Sequence, residues 1–265
     1  MTAHRLVNRR ILLKDMGKTG VAVMLFGTAA CSEEPTSNAT PTEEPSTQPS
    51  SSATSQLGGG AGSGSSGEGH EWHRVNLGFV SAYILYRNGE ATIVDTGVDG
   101  STPAIEAALA EVGLAWGDVS GLILTHRHPD HQGSVQGVLA STPADTPWYA
   151  GEGDLGAINA PYAGQSVGDG DNVNDLEIIE TPGHTPGHIS IRDGAAGVLV
   201  AGDALRGTDD GVLGSDPDFT DDMDLANVSV AKLAGFDYEV ILFGHGEPVL
   251  EDGSSAVADL AATLG

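Results

Sequence analysis

Three histidines and one aspartate lie within six residues, in the segment His126-Arg127-His128-Pro129-Asp130-His131. His126 and His128 alternate, so both side chains can face one side of an extended loop. Asp130 and His131 then turn to a neighbouring point. Imidazole and carboxylate are the natural ligands of zinc where no thiolate is available. The segment predicts a metal site, and the alternative interpretation is a solvated histidine-rich loop.

A potential metal ligand follows an apolar run at four further places in the chain. Glycines stand beside or near these residues, and a glycine lets the backbone come close to a buried ion. Each residue therefore comes where a strand is expected to end, as the 126–131 segment does. The four residues are Asp95, His184, Asp203 and His245.

Strands and helices alternate in the part of the chain that must position these residues. Asn88-Gly89 predicts a tight turn between two strands, and Thr102-Pro103 predicts a helix start with Thr102 as the N-cap. Short β-rich runs predict strands at 75–77, 79–86, 91–94, 121–125, 176–180, 188–192, 198–201 and 239–243, and helices are predicted at 104–112, 225–233 and 255–263.

In order and spacing, these motifs resemble those of the metallo-β-lactamase-fold hydrolases, over about residues 73–263. The resemblance implies a mixed α/β fold, a four-layer αββα sandwich, with a dinuclear metal site at one edge of its two sheets. The first metal then takes three histidines, the second takes two histidines and a carboxylate, and one carboxylate bridges both. These residues are His126, His128 and His184 for the first metal, Asp130, His131 and His245 for the second, and Asp203 for the bridge.

Other residues near these motifs are expected to support the site. The resemblance implies that Asp95 orients a ligand histidine by hydrogen bonding. The family pattern places His184 on the metal, so His188 is expected to support the ligands or to pack in the core. Trp148 and Tyr149 end a predicted strand, and both a place in the substrate cleft and a place in the core stay open.

The resemblance implies a hydrolase with two Zn²⁺ ions, with iron or manganese as alternative metals. Two cations that share a water lower its pKa and give a hydroxide that attacks the carbonyl of a small ester, lactone, thioester or β-lactam. Asp130 is expected to accept or donate a proton at that hydroxide. The alternatives are a mononuclear iron enzyme that resembles persulfide dioxygenases and a metal-bound binding module without catalysis.

Within the family, the ligand set is most similar to that of glyoxalase II and the lactonases, because Asp203 is present. A β-lactamase subclass with a cysteine ligand is excluded, since the single cysteine, Cys31, is the expected lipid anchor and no other cysteine is present. Glyoxalase II carries a basic helical domain for glutathione after the position of His245. The chain ends at Gly265, so glutathione thioesters are not expected as substrates.

The chain carries 37 acidic residues against 11 Lys and Arg, a formal net charge of −26. Five of those cations lie in the first thirty residues, so the remaining part is more acidic still. Such a surface repels nucleic acid phosphates and anionic membranes. A small-molecule substrate is the expected partner, no nucleic acid is expected, and the oligomeric state stays open.

The N-terminal part resembles a twin-arginine lipoprotein signal. Arg9-Arg10 precede an uncharged run over 19–30 that is too short to cross a bilayer, and Cys31 follows where a lipobox cysteine stands. The predicted organisation is a signal peptide at 1–30, a lipidated Cys31 with a Ser/Thr/Pro/Gly tether to residue 69, and a hydrolase domain at 70–265. We expect lipid anchoring on the extracytoplasmic face of the cell membrane, with Cys31 as the only bilayer contact.

Overall fold

The computed structural model describes residues 69–209 and 211–264. The predictions for the signal peptide, for Cys31 and for the tether up to residue 68 lie outside the described residues. Within the described part, no helix is long and apolar enough to cross a membrane.

Two mixed sheets form the centre of the fold. The first sheet has its six strands in chain order: β1 (Glu71–Asn76), β2 (Ser81–Arg87), β3 (Glu90–Val94), β4 (Val119–Ile123), β5 (Trp148–Gly151) and β6 (Gln165–Val167). The second sheet contains β7 (Asn172–Val173), β8 (Leu176–Glu180), β9 (Ile189–Asp193), β10 (Val198–Gly202) and β13 (Val240–Phe243), in the order β13-β10-β9-β8-β7. A separate hairpin pairs β11 (Leu205–Thr208) with β12 (Gly211–Gly214).

Six α-helices accompany the sheets within the described residues. They are α1 (Thr102–Glu111), α2 (Pro129–Gln132), α3 (Val135–Ser141), α4 (Glu152–Leu155), α5 (Met223–Leu233) and α6 (Gly253–Leu264). A 3₁₀ turn at Trp116–Asp118 leads into β4.

Three apolar layers hold the sandwich together, and alternate residues of a strand belong to different layers. On β2, Ile84 packs toward α1 and α3, whereas Tyr83 and Leu85 pack between the sheets. On β10, Val200 packs between the sheets and Leu199 packs toward α5 and α6. Alternate residues of a strand face opposite sides, so each central strand is apolar on both faces. The result is the predicted four-layer αββα architecture.

The bounds of several predicted elements differ from the structure by a few residues, and two of these differences have a clear local cause, whereas one predicted turn is confirmed. Strand β2 begins at Ser81 and not at Phe79, because Gly78 adopts φ +92° and Leu77 N–H donates to Val80 O in a turn. Helix α1 begins at Thr102, so the prediction of Thr102 as N-cap is wrong and Ser101 occupies that position. The turn between β2 and β3 is confirmed, with positive φ at the residues 88–89.

Candidate metal centre

All the predicted ligand residues follow the carboxyl ends of strands of the two sheets. His126 and His128 come after β4, and the same loop continues into α2 with Asp130 and His131. The remaining three follow one strand each of the second sheet: His184 after β8, Asp203 after β10 and His245 after β13. Strand β4 pairs in parallel with β3 and β5, and β10 with β13, so these ends share one edge of the sandwich.

The structure brings the first three predicted ligands into contact. His128 Nδ1 lies 3.1 Å from His126 Nε2 and 3.0 Å from His184 Nε2. Ring nitrogens that converge in this way point their lone pairs or protons at a common centre. His126 and His184 are buried, and His128 is half-buried.

The other four ligand atoms form a second group that meets the first at Asp203. Asp203 Oδ2 lies 3.4 Å from His184 Nε2 and 3.2 Å from His245 Nε2, while Oδ1 lies 3.4 Å from His131 Nε2. Asp130 Oδ2 lies 3.3 Å from His245 Nε2. The Asp203 carboxylate thus stands between the two groups, at the place of the predicted bridge.

Two polar atoms in the centre are buried without a hydrogen-bond partner, His131 Nε2 and Asp203 Oδ1. Burying such groups unpaired costs free energy, which a bound cation would offset. A glycine packs directly over them: a Cβ on Gly244 would lie 2.1 Å from Asp203 Oδ1 and 2.6 Å from His131 Cε1. Buried imidazole and carboxylate donors grouped in this way fit a divalent metal such as zinc.

The first group of histidines is held in the neutral form that binds metals. Burial lowers the pKa of His184 to about 4, and burial lowers the pKa of His126 well below its usual value. The pKa of His128 is lowered for the same reason. A neutral imidazole keeps a lone pair for a cation, so these residues need not lose a proton to bind one at neutral pH.

The second group pairs histidines with carboxylates. Burial acts to lower the pKa of His131, but Asp203 and Asp95 outweigh it and hold that pKa well above its usual value. Burial likewise acts to lower the pKa of His245, yet its bonds to Asp130 and Asp203 raise the pKa to about 10. Each of these two histidines therefore holds a proton next to a carboxylate, and a metal ion bound there would displace that proton.

Asp95 contacts His131, one of the predicted ligand histidines. Its Oδ2 lies 2.8 Å from His131 Nδ1, and it also accepts hydrogen bonds from Thr125 N–H and Thr125 Oγ1, each 2.8 Å long. A carboxylate only accepts, so Nδ1 of His131 carries the proton and Nε2 is left to face the centre. The backbone of Asp95 adopts φ +63°, which turns its side chain back under the strand end.

His188 supports the centre from behind. Its Nε2 accepts a hydrogen bond from Asp203 N–H at 3.0 Å, and its Nδ1 lies 2.8 Å from Thr181 Oγ1. Both ring nitrogens are therefore occupied by protein groups.

Of the two aromatic residues left open, Trp148 is buried in the layer between the first sheet and its helices, and its Nε1–H donates to Tyr162 O.

Asp154 is a residue of the site that the sequence reasoning missed. This fully buried carboxylate on α4 accepts hydrogen bonds from Arg127 N–H (3.0 Å), Arg127 Nη1 (3.0 Å), Thr185 Oγ1 (2.5 Å) and Gly187 N–H (3.1 Å). It joins the 126–131 loop to the 181–188 loop, which together carry the first three ligands. The glycine at 187 is the sequence feature that relates to Asp154, because the two backbones pack so closely that a Cβ on Gly187 would lie 2.2 Å from Asp154 N.

Comparison with known proteins agrees with this architecture. The chain matches the metallo-beta-lactamase superfamily over residues 75–245. The probable metallo-hydrolase YflN of Bacillus subtilis (strain 168) is 26% identical over 225 residues, covering 67% of this chain and 84% of that protein. A solved metallo-beta-lactamase family protein from Thermus thermophilus aligns with a TM-score of 0.56 and 25% identity, over 69% of this chain and 74% of that one.

Hydroxyacylglutathione hydrolases match over a shorter region. That of Alkalilimnicola ehrlichii is 36% identical over 115 residues, which are 43% of this chain and 42% of that enzyme. The chain spans about half the length of the hydroxyacylglutathione hydrolases it matches, between 42% and 51%. The superfamily match covers more than half of the chain and contains every strand end described above. The chain belongs to the metallo-β-lactamase superfamily.

Proposed function

We propose that this chain is a dinuclear zinc hydrolase of a small ester, lactone, thioester or β-lactam. The observation that carries the proposal is the clustering of the seven predicted ligand side chains, in which one buried carboxylate, Asp203, lies within 3.8 Å of a ring nitrogen of each of four histidines. The names of the relatives support the hydrolase class, since they include a probable metallo-hydrolase and hydroxyacylglutathione hydrolases.

The proposed ligands form two groups, one for each cation, that correspond to the two groups of side chains in the structure. The ring nitrogens of one group converge on His128, and those of the other lie around Asp203 and Asp130. When bound, two divalent cations lower the pKa of a shared water toward neutrality and polarise the substrate carbonyl. The first cation would be held by His126, His128 and His184, the second by Asp130, His131 and His245, and both by Asp203.

The protein's own residues have distinct tasks in this proposal. Asp95 and His188 hold His131 and Asp203 in position through hydrogen bonds. Asp130 lines the open side of the centre and is the proposed proton acceptor for the attacking water. Burial acts to raise the pKa of Asp130, but the hydrogen bond from His245 outweighs it and keeps that pKa below its usual value, so Asp130 is ionised at neutral pH.

A hydrolysis panel on the zinc-restored full chain tests the proposal. The panel contains an acyl-homoserine lactone, a simple thioester, a cephalosporin and a phosphodiester, each with and without a chelator. We expect chelator-sensitive turnover of an acyl substrate, lost in Asp203→Ala and kept in the exposed control Asp171→Asn. Absence of turnover across the panel contradicts the hydrolase, and bound iron with oxygen consumption supports the dioxygenase instead.

We also propose that the chain is exported and anchored to the extracytoplasmic face of the cell membrane through Cys31. The support is in the sequence: Arg9-Arg10, the uncharged run over 19–30 and the single cysteine directly after it. We expect the protein in the membrane fraction of producing cells, with Cys31→Ser released from it or left unprocessed. A wild-type chain that stays unprocessed in the cytoplasm contradicts this proposal.

A further inference from the structure

A cavity of about 800 Å³ lies over the metal centre, and two phenyl rings stand at its sides. Phe79 is 65% exposed and Phe219 is 68% exposed, which makes them the most exposed large apolar side chains of the described residues. A phenyl ring left in water is unfavourable, and exposed apolar surface beside a polar centre is typical of a binding site.

Both rings are attached to predicted ligands. The Phe79 ring stacks on the His245 ring with centroids 6.1 Å apart, and His245 Nδ1 donates to Phe79 O at 2.6 Å. Phe219 lies in the loop 215–222, which also contains Thr220, whose hydroxyl contacts His184 Nδ1 at 3.1 Å. The Phe79 ring therefore lies against one ligand group, and Phe219 lies next to a residue that contacts the other, with both rings lining the same cavity.

Every Lys and Arg side chain of the described residues is paired with a carboxylate, although the buried Nε of Arg206 has no hydrogen-bond partner. Apart from the leader, the chain has six Lys and Arg residues, and every one forms an ion pair with a carboxylate: Arg74, Arg87, Arg127, Arg192, Arg206 and Lys232. Among those that line the cavity, Arg206 is the single Lys or Arg, and its Nη1 lies 2.5 Å from Asp216 Oδ2. Four aspartates line the same space: Asp99, Asp130, Asp203 and Asp216.

We propose that this cavity selects uncharged acyl compounds whose apolar acyl or aryl group packs against Phe79 and Phe219, and that it discriminates against anionic thioesters such as those of glutathione. The proposal rests on the hydrolase function proposed above and deepens it. Apolar contact favours each added methylene. A carboxylate on the substrate, away from the reacting carbonyl, instead meets Asp99 and Asp216, and the single guanidinium of the cavity, that of Arg206, is already paired with Asp216.

Two substrate series measured on the zinc-loaded full chain test the selectivity. In neutral thioesters of N-acetylcysteamine, lengthening the acyl group from acetyl to hexanoyl should raise kcat/KM by about fourfold per methylene. The same acyl group on glutathione should react at least about tenfold more slowly, because its carboxylates meet an acidic cavity. A flat chain-length profile, or a preference for the glutathione thioester, overturns the proposal.

Two pairs of variants assign the effect to the named residues. Phe219→Ala should flatten the chain-length profile, whereas Leu250→Ala, an exposed apolar residue outside the cavity, should leave it unchanged. Asp216→Asn leaves the guanidinium of Arg206 uncompensated and should shift selectivity toward the glutathione thioester by up to about fivefold. Glu177→Gln, which removes the partner of Arg192 away from the cavity, should not.

A binding measurement separates failure of this proposal from failure of the hydrolase function. Saturation-transfer NMR on the chelator-treated full chain compares octanamide with octanoate and needs no turnover. We expect a signal for octanamide that weakens in Phe219→Ala and persists in Leu250→Ala. Equal signals for both compounds, or a signal that Phe219→Ala leaves unchanged, overturn the proposal even where the hydrolysis panel succeeds. Selective octanamide binding without turnover of any substrate supports the cavity and contradicts the hydrolase.

Discussion

Replacing Asp154 by asparagine should weaken metal binding without touching a metal ligand. The carboxylate is fully buried, and each of its oxygens accepts two hydrogen bonds. Oδ1 accepts from Arg127 Nη1 and Gly187 N–H, and Oδ2 accepts from Arg127 N–H and Thr185 Oγ1. An asparagine offers one oxygen, and its NH₂ group would then face two donors.

The expected loss of stability in Asp154→Asn follows from those four hydrogen bonds. Two buried donors lose their acceptor, and each such loss costs about 1–3 kcal/mol, so the free energy of unfolding should fall by about 3 kcal/mol. The loops that carry His126, His128 and His184 lose their common anchor. Changes of this kind around a metal site lower metal affinity by about 10–100-fold, and we expect a zinc affinity reduced within that range.

Competition with a chromophoric chelator measures zinc affinity, and chemical unfolding of the zinc-free chain measures stability. Asp171→Asn is the matched control, because Asp171 is exposed and accepts a single bond from Gly168 N–H. An Asp154→Asn protein with wild-type zinc affinity and wild-type stability would refute the idea that this carboxylate anchors the two ligand loops.

Two further changes test the packing and the electrostatics. Gly244→Ala should reduce zinc occupancy and activity by at least about tenfold, because its Cβ would lie 2.1 Å from Asp203 Oδ1, whereas Gly156→Ala has open space and should behave as wild type. Asp193→Asn should lower the free energy of unfolding by about 2 kcal/mol at neutral pH. Burial acts to raise the pKa of Asp193, but two hydrogen bonds from His70 outweigh it and lower that pKa to about 2. The difference in unfolding free energy between wild type and Asp193→Asn should therefore shrink as the pH falls from about 4 to 2. A difference that stays constant over this range contradicts the stabilising role of the Asp193 carboxylate.

The predictable part of the fold was the part encoded in short sequence patterns. The run at residues 176–180 forms β8 with the predicted bounds, and the Asn88-Gly89 turn follows from residues that tolerate positive φ. The pairing of the strands depends on contacts between distant segments, so the convergence of His184, Asp203 and His245 was expected only through the family resemblance. The helix start at Thr102 was misjudged by one residue because Ser101 and Thr102 are both good N-cap residues.

The supporting residues could not be predicted, for a physical reason. Two of the four donors to Asp154 are backbone N–H groups, which every residue except proline has, and its side-chain donors on Arg127 and Thr185 are 27 and 31 residues away, so no local pattern marks its partners. His70 and Asp193 are 123 residues apart, and neither belongs to a motif. Phe79 was expected inside a strand, and its place at the cavity depends on the turn at Gly78.

The most direct test of the central claim is the metal content of the zinc-saturated full chain, measured by inductively coupled plasma mass spectrometry after removal of free metal. We expect about two zinc ions per chain in the wild type and a lower content in Asp203→Ala, because that carboxylate stands between both ligand groups. Asp171→Asn should match the wild type. A saturated stoichiometry of one or none, or a content that Asp203→Ala leaves unchanged, would contradict the dinuclear centre.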